Sequence, residues 1–252
     1  MQQAKADVVK AAALKAALVT GGSRGIGAAI VERLARDGAA VAFTYASSEA
    51  AAQELVARVE AGGGRALAIK ADSADEAQLR AAVNRTVAAF GSLDILVNSA
   101  GVLEMAPVES FPIAQLDRSY AINVRGAFIA IQEALRHMQP GGRIVTIGSI
   151  AAVRVGFANS SVYAMTKGAL ASMVRGIAID IGRRGITINN VQPGPTQTDI
   201  VPVEFIDTLV NMLPVGRMGK PEEIAGMVAY LASAEAGYVT GSSFTIDGGM
   251  IA

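Results

Sequence analysis

The stretch AALVTGGSRGIG, Ala16 to Gly27, decides the fold. Ala16 to Thr20 is a short apolar run of the length and composition of a buried strand. It breaks into a glycine-rich turn, and a helical pattern follows from Ala28 to Asp37, stopped by Gly38. Gly21, Gly25 and Gly27 permit a tight turn and close backbone approach. The helix start beyond them offers free N–H groups and a positive dipole end, which suit a pyrophosphate. The spacing is G-x-x-x-G-x-G rather than G-x-G-x-x-G, and a glycine-rich turn by itself is often an ordinary loop. Its place between a first strand and a first helix is what gives it weight.

Outward from this unit the same alternation recurs. Strands are predicted at Val41–Tyr45, Ala66–Lys70, Leu93–Asn98, Arg143–Gly148, Thr187–Val191 and Ser243–Ile246. Helices are predicted at Glu49–Glu60, with Ser47 and Ser48 as caps, and at Asp75–Phe90 and Phe111–Met138. Two more are predicted, one carrying Tyr163 and one over Glu222–Ala232 behind Pro221. Short strands alternating with helices imply βαβ units. The fold class is therefore α/β, a doubly wound Rossmann-type parallel sheet of about seven strands with helices on both faces. Residues 1–14 read as an N-terminal extension and 15–252 as one domain, with a lid at about 196–219.

Composition narrows the partners. The 252 residues are 52% hydrophobic and 17% charged, and Lys+Arg and Asp+Glu both number 22. No basic tract appears, so nucleic acid is not the expected partner. There is no Cys and a single His, His137. That excludes a thiolate nucleophile, a Cys- or His-rich metal site and a triad on any other histidine, and no metal is expected. His137 stands near a helix end, where a capping or surface role is expected. No apolar run reaches a membrane span and no signal-peptide pattern opens the chain, so a cytoplasmic location is the default.

The end of the second strand selects a cofactor. An acid about 20 residues beyond the glycines would bind the ribose 2′-OH of NAD. Here the strand ends Tyr45, Ala46, Ser47, Ser48, with no acid before Glu49. Arg24 in the glycine loop, with the serine hydroxyls, suits a 2′-phosphate, so NADP(H) is favoured over NAD(H).

Tyr163 and Lys167 lie four residues apart and share a helix face. Such a pair is usually a surface contact. Its surroundings change the reading, because the chain resembles the short-chain dehydrogenase/reductase family from about Lys15 to Ala252. The motifs that carry the resemblance come in family order: Thr20–Gly27, Asp72, Asn98–Gly101, Asn123, Ser149, Tyr163 with Lys167, and Pro193-Gly194 with Thr198. The likeness is strongest to NADPH-dependent carbonyl and 3-oxoacyl reductases.

The resemblance implies an oxidoreductase in which Asn123, Ser149, Tyr163 and Lys167 form a catalytic tetrad. It implies that Gly21, Ser23, Arg24, Gly25, Ile26 and Gly27 meet the phosphates, and that Tyr45, Ala46, Ser47 and Ser48 lie beside the ribose. Asp72 and Ser73 would meet the adenine, and Asn98, Ala100 and Gly101 would line the adenosine side. Pro193, Gly194, Thr196 and Thr198 would hold the carboxamide and phosphates, with Tyr163 and Lys167 also touching the cofactor. A free phenol has a pKa of about 10, and the Lys167 charge is expected to lower that of Tyr163. Asn123 resembles the residue that holds a relay water. The family is often tetrameric, so a homotetramer is expected.

Three departures from the family pattern stand out: Ser99 in place of a second Asn, Thr196 in place of Ile, and one extra residue between Ser149 and Tyr163. The segment Ile200–Leu213 is apolar, with two acids and no Lys or Arg. Ile179 falls where acyl-carrier reductases tend to carry Arg. Both favour a small hydrophobic ketone. The alternatives are a 3-oxoacyl-thioester reductase, or a cyclic-di-GMP or dinucleotide-binding regulator with little turnover. The regulator stays in view because residues 44–46 and 72–75 resemble stretches of a reductase-like protein linked to biofilm dispersal.

Overall fold

Strands that read as unbroken apolar runs must be covered on both faces, and five of the seven here are. The computed structural model describes residues 15–199, 201 and 205–252. The proposed 1–14 extension, and Ile200 and residues 202–204 of the proposed lid, lie outside the described residues.

The strands are β1 Ala16–Thr20, β2 Ala40–Tyr45, β3 Arg65–Lys70, β4 Ile95–Asn98, β5 Arg143–Ile147, β6 Thr187–Pro193 and β7 Ser243–Ile246. They form one sheet in the order β3-β2-β1-β4-β5-β6-β7, and every adjacent pair is parallel. The order reverses between β1 and β4, and such switch points leave a crevice at the carboxyl ends of the strands. The edge strands β3 and β7 alone carry exposed positions, as edges bordering solvent do.

Helices cover both faces: α1 Gly25–Arg36, α2 Glu49–Ala61, α3 Glu76–Phe90, α4 Ile113–Tyr120, α5 Ala127–Ala134, α6 Ser161–Ile181, α7 Ile206–Met212 and α8 Pro221–Ala232. Along β1 the side chains alternate between two cores, with period two. Ala17 and Val19 join Ile30, Leu34, Phe43, Ile224 and Val228 beneath α1 and α8. Leu18 joins Val83, Ile131, Val174, Ile177 and Ile188 beneath α3, α5 and α6. None of the described helices is long and apolar enough to cross a membrane.

Several boundaries differ from the sequence reading. The helix expected over Phe111–Met138 is two helices joined by a π-helical turn at Ala121–Gly126. A Cβ on Gly126 would lie 2.3 Å from the Ser73 carbonyl oxygen, so the turn packs against the loop after β3. α1 begins at Gly25, three residues before its apolar pattern does, because the last loop glycines form its first turn. β6 runs two residues past the expected end, since Pro193 still pairs with Ile246. Ser48 occupies the N-cap position of α2, but its side chain makes no cap bond. Asp75, expected inside α3, caps it instead by accepting from the Gln78 N–H.

Phe43 is fully buried, and a Cβ on Gly22 would lie 2.5 Å from its Cβ. Phe43→Ala should cost about 3–5 kcal/mol in urea unfolding; a loss under about 1 kcal/mol would show that this core collapses around the gap.

Candidate active site

The site is built at the strand ends from glycines and threonines. Gly21 N–H donates to Thr44 Oγ1 at 3.0 Å, and Gly22 N–H to the Thr44 carbonyl at 2.9 Å. β2 therefore clamps the glycine loop. Thr20 Oγ1 accepts from the N–H groups of Ser99 and Ala100, at 3.2 and 3.3 Å, and so fixes the loop after β4 to β1. A Cβ on Gly21 would lie 2.7 Å from Ala100 Cα, and one on Gly27 would lie 2.2 Å from the Gly21 carbonyl oxygen. Only glycine permits this closeness, and Gly21 and Gly25 have φ of 65° and 53° besides.

This cradle fits a dinucleotide. α1 starts without a side-chain cap and without an acidic residue in its first turn, so its N–H groups and dipole are free for an anion. Asn98 is buried, and its Oδ1 and Nδ2 find no partner among the described residues. Arg24, Ala46 and Ser47 are exposed and Ser48 partly so. Thr198 lies across the loop, its Cγ2 3.2 Å from where a Cβ of Gly25 would be. Two expectations need correction. The Tyr45 side chain is buried in the core, which leaves only its backbone to face a ribose. Thr196 is buried and spends its hydroxyl on the Gly194 carbonyl at 2.9 Å, shaping the turn rather than reaching outward. Asp72 Oδ1 likewise accepts from the Ala74 N–H at 2.9 Å and closes its own turn.

The loop after β4 also reaches the tetrad. A Cβ on Gly101 would lie 3.4 Å from Lys167 Nζ and 3.5 Å from Asn123 Oδ1. Lys167 is buried and donates to the carbonyl of Ile147, the last residue of β5, at 2.9 Å. That bond ties α6 to the strand that ends beside Ser149. Burial lowers the Lys167 pKa from 10.5 to about 8. Tyr163 sits one turn back on α6, its ring centroid 5.5 Å from Lys167 Nζ. Burial pushes the Tyr163 pKa above 10, and the Ser149 hydroxyl pulls it partway back. The expectation from the sequence is a pKa lowered by the Lys167 charge; in this structure burial is the larger influence on the phenol, and Ser149 acts against it.

Asn123 and Ser149 are both engaged. Asn123 Oδ1 accepts from the Val102 N–H at 2.8 Å. Its Nδ2 donates to the Val102 carbonyl and to Thr166 Oγ1, each at 3.0 Å. The residue thus pins the loop after β4 to α6 from within the π-helical turn. Ser149 Oγ accepts from the Ala151 N–H at 3.1 Å and caps a short 3-10 turn. Sequence reasoning passed over Thr20, Thr44 and Thr166. The available signal was a threonine at a strand's carboxyl end, or one position before the lysine.

A cavity of about 590 Å³ lies under α7, lined by Thr198, Val201, Ile206, Val210, Arg217 and Met218. Tyr163 and Ser149 do not line it. His137 is remote from the site, its Nε2 2.9 Å from Asn84 Oδ1.

Comparison with known proteins places the chain. Residues 21–251 match the family described as enoyl-(acyl carrier protein) reductase. The chain is similar to the cyclic-di-GMP-binding biofilm dispersal mediator protein of Escherichia coli strain K12. The two are 48% identical over 236 residues, covering 93% of this chain and 96% of that one. It is similar to a solved short-chain dehydrogenase/reductase from Serratia marcescens BCRC 10948, with a TM-score of 0.92 and 56% identity, over 94% of this chain and 98% of that one. A short chain dehydrogenase from Burkholderia cenocepacia J2315, solved in complex with NADP, matches with a TM-score of 0.92 and 47% identity, over 94% and 98% of the two chains. A glycine cradle at the switch point, a Tyr–Lys pair on α6 and these likenesses over nearly the full length agree, and the chain belongs to the short-chain dehydrogenase/reductase family of oxidoreductases.

Proposed function

We propose that this protein reduces ketones to secondary alcohols with NADPH, working from the strand-end site as one domain with a lid at about 196–219. The observation that carries the reading is Lys167 held on the Ile147 carbonyl, one helical turn from Tyr163 and beside the loop after β4. NADPH bound in the glycine cradle supplies the hydride. Its 2′-phosphate would face Arg24, Ser47 and Ser48, which are free of acidic neighbours along residues 45–48. The similar Burkholderia protein was solved with NADP, which supports the same choice here.

Tyr163 gives its proton to the carbonyl oxygen as negative charge develops there. Burial raises the Tyr163 pKa and opposes release of its proton, while the Ser149 hydroxyl lowers it and favours release. Ser149 donates its hydroxyl hydrogen to the same oxygen, while its lone pair stays on Ala151. Lys167 stabilises the tyrosinate left behind, since an opposite charge nearby favours the charged form. Asn123 holds Val102 and Thr166 in place around Lys167 rather than meeting substrate.

A hydrophobic ketone fits better than an acyl-carrier thioester. The segment 200–213 has no Lys or Arg, and the exposed position 179 on α6 is Ile rather than a basic residue. A second reading follows from the similarity to the cyclic-di-GMP-binding relative: a dinucleotide-binding regulator with little turnover. Loss of NADPH absorbance over a panel of ketones supports the first reading. Tight NADPH binding with no turnover on ketones or thioesters would favour the second. The exposed Ile113, Tyr120, Phe128 and Ile179 on α4, α5 and α6 suit a homotetramer; light scattering that returns a monomer would refute that assembly.

Three outcomes are expected. Tyr163→Phe should lower kcat about a hundred- to ten-thousand-fold while NADPH binding persists; a near-normal rate would remove Tyr163 as the proton donor. Arg24→Ala should reduce the preference for NADPH over NADH by about ten- to a hundred-fold, and an unchanged ratio would move the 2′-phosphate elsewhere. Lys167 is charged below its pKa of about 8 and neutral above it. The kcat/KM for reduction should therefore hold to about pH 8 and fall beyond it, and Lys167→Arg should extend the plateau upward. A flat profile through pH 10 would separate Lys167 from the proton transfer.

A further inference from the structure

The chain beyond β7 touches three walls of the site at once. Asp247 follows Ile246, and its two carboxylate oxygens accept from two amides of its own turn. Oδ1 takes the Gly249 N–H and Oδ2 the Ile251 N–H, each at 3.0 Å. Gly248 and Gly249 hold φ of 64° and 84°, which makes the turn tight. On one side it abuts the exit of β6, where a Cβ on Gly194 would lie 2.6 Å from Asp247 Cβ. Gly194 N–H also donates to the Ile246 carbonyl at 3.0 Å.

On a second side the turn meets the approach to the lid. Val215 N–H donates to the Gly248 carbonyl at 3.3 Å. A Cβ on Gly248 would lie 2.6 Å from Val215 Cγ2. Met250 packs against Leu209, Leu213 and Met218, the small apolar core beneath α7. On the third side, Arg154 Nη1 donates to the Met250 carbonyl at 3.3 Å. Met250 Cε lies 4.0 Å from the Cβ position of Gly156. Arg154 and Gly156 belong to the wall between Ser149 and Tyr163, which also presents the exposed apolar side chains of Val153, Val155 and Phe157.

We propose that the turn Asp247–Ile251 is a positioning element that ties the lid helix α7 to the wall between Ser149 and Tyr163, and that Met250 sets the far end of the ketone slot. Met250 packs on the apolar core beneath α7 and reaches the wall at Gly156, and the slot is placed between the two. Asp247 acts through the backbone it holds and touches no substrate. The assignment to substrate choice rests on the ketone-reductase reading above; the mechanical tie does not.

The experiment has one arm for each part. In hydrogen exchange of the full chain, Asp247→Ala should speed exchange about tenfold or more in both α7 and residues 150–157, as expected for two lost amide bonds. Asp247→Asn, which keeps one acceptor oxygen, should give a smaller rise in both. A rise confined to residues 247–252 would overturn the tie. Should Asp247→Ala fail to fold, Arg154→Ala on the exposed wall tests the same link, with faster exchange in residues 150–157 expected and no change overturning it. In kinetics, Met250→Ala should lower KM for long or bulky aryl ketones by about tenfold, with KM for NADPH and kcat on a small ketone unchanged. Met250→Trp should do the reverse. Equal effects on small and bulky ketones would overturn the assignment of Met250. A wild-type protein that turns over no ketone would sink the functional reading, while the exchange arm would still decide the tie.

Discussion

A buried ammonium without a carboxylate beside it is the constraint on which the site depends. Lys167 has no ion-pair partner among the described residues, and the Ile147 carbonyl accepts a hydrogen bond from it. Lowering its pKa from 10.5 to about 8 corresponds to a penalty on the order of 3 kcal/mol on the charged form. A fold tolerates such a penalty only if the surroundings over-determine the side chain. α6 does so by packing Val174, Ile177 and Ile181 into the sheet on one face. The Asn123–Thr166 hydrogen bond holds the helix from the other direction. A carboxylate near Lys167 would relieve the penalty and would also neutralise the charge that a tyrosinate needs.

The same economy of atoms governs the strand ends. Glycines at the strand ends place backbone where side chains would ordinarily stand. Thr20 and Thr44 turn strand ends into clamps on the neighbouring loops. Gly21 lets the loop after β4 lie directly on the glycine turn, and Gly101 lets that loop continue to Lys167. Cofactor cradle and proton-transfer pair are therefore joined by a single run of four residues, Asn98 to Gly101. A change in one end of that run has a direct mechanical route to the other.

What the sequence made legible follows from the range of the forces involved. β1 and β7 were placed to the residue and the other strands to within two residues; for the interior strands this is because a buried parallel strand reads as a local apolar run. The glycine loop was readable because positive φ, as at Gly21 and Gly25, is a local demand that glycine meets. The π-helical turn at Asn123 was not, since it depends on Gly126 meeting Ser73 and on Asn123 meeting Val102, both distant in sequence. The burial of Tyr163 was not legible for a related reason. Adjacency to Lys167 on a helix is visible in the spacing, whereas desolvation depends on how distant parts of the chain close around the phenol. Tyr45 was assigned to the cofactor from its position at the end of β2, yet the alternation of that strand turns it into the core.

The two halves of the site obey different rules. On the cofactor side the contacts are hydrogen bonds to backbone and glycines packed where a Cβ would clash, so a side chain at those glycines would disturb several elements at once. On the substrate side the surfaces are apolar side chains on short segments: Val153, Val155 and Phe157 on the wall, Leu209 and Leu213 on the lid helix, and Met250 between them. Dispersion contacts of that kind exchange one shape for another at small cost. The proposed chemistry would then lie in the part of the chain that is hard to vary, and the proposed choice of substrate in the part that is easy to vary. The Asp247 turn connects them, with Asp247 against Gly194 on one side and Met250 against the lid core on the other. Under the proposed ketone-reductase reading, a substitution in the apolar half would alter which substrate is held without moving Tyr163.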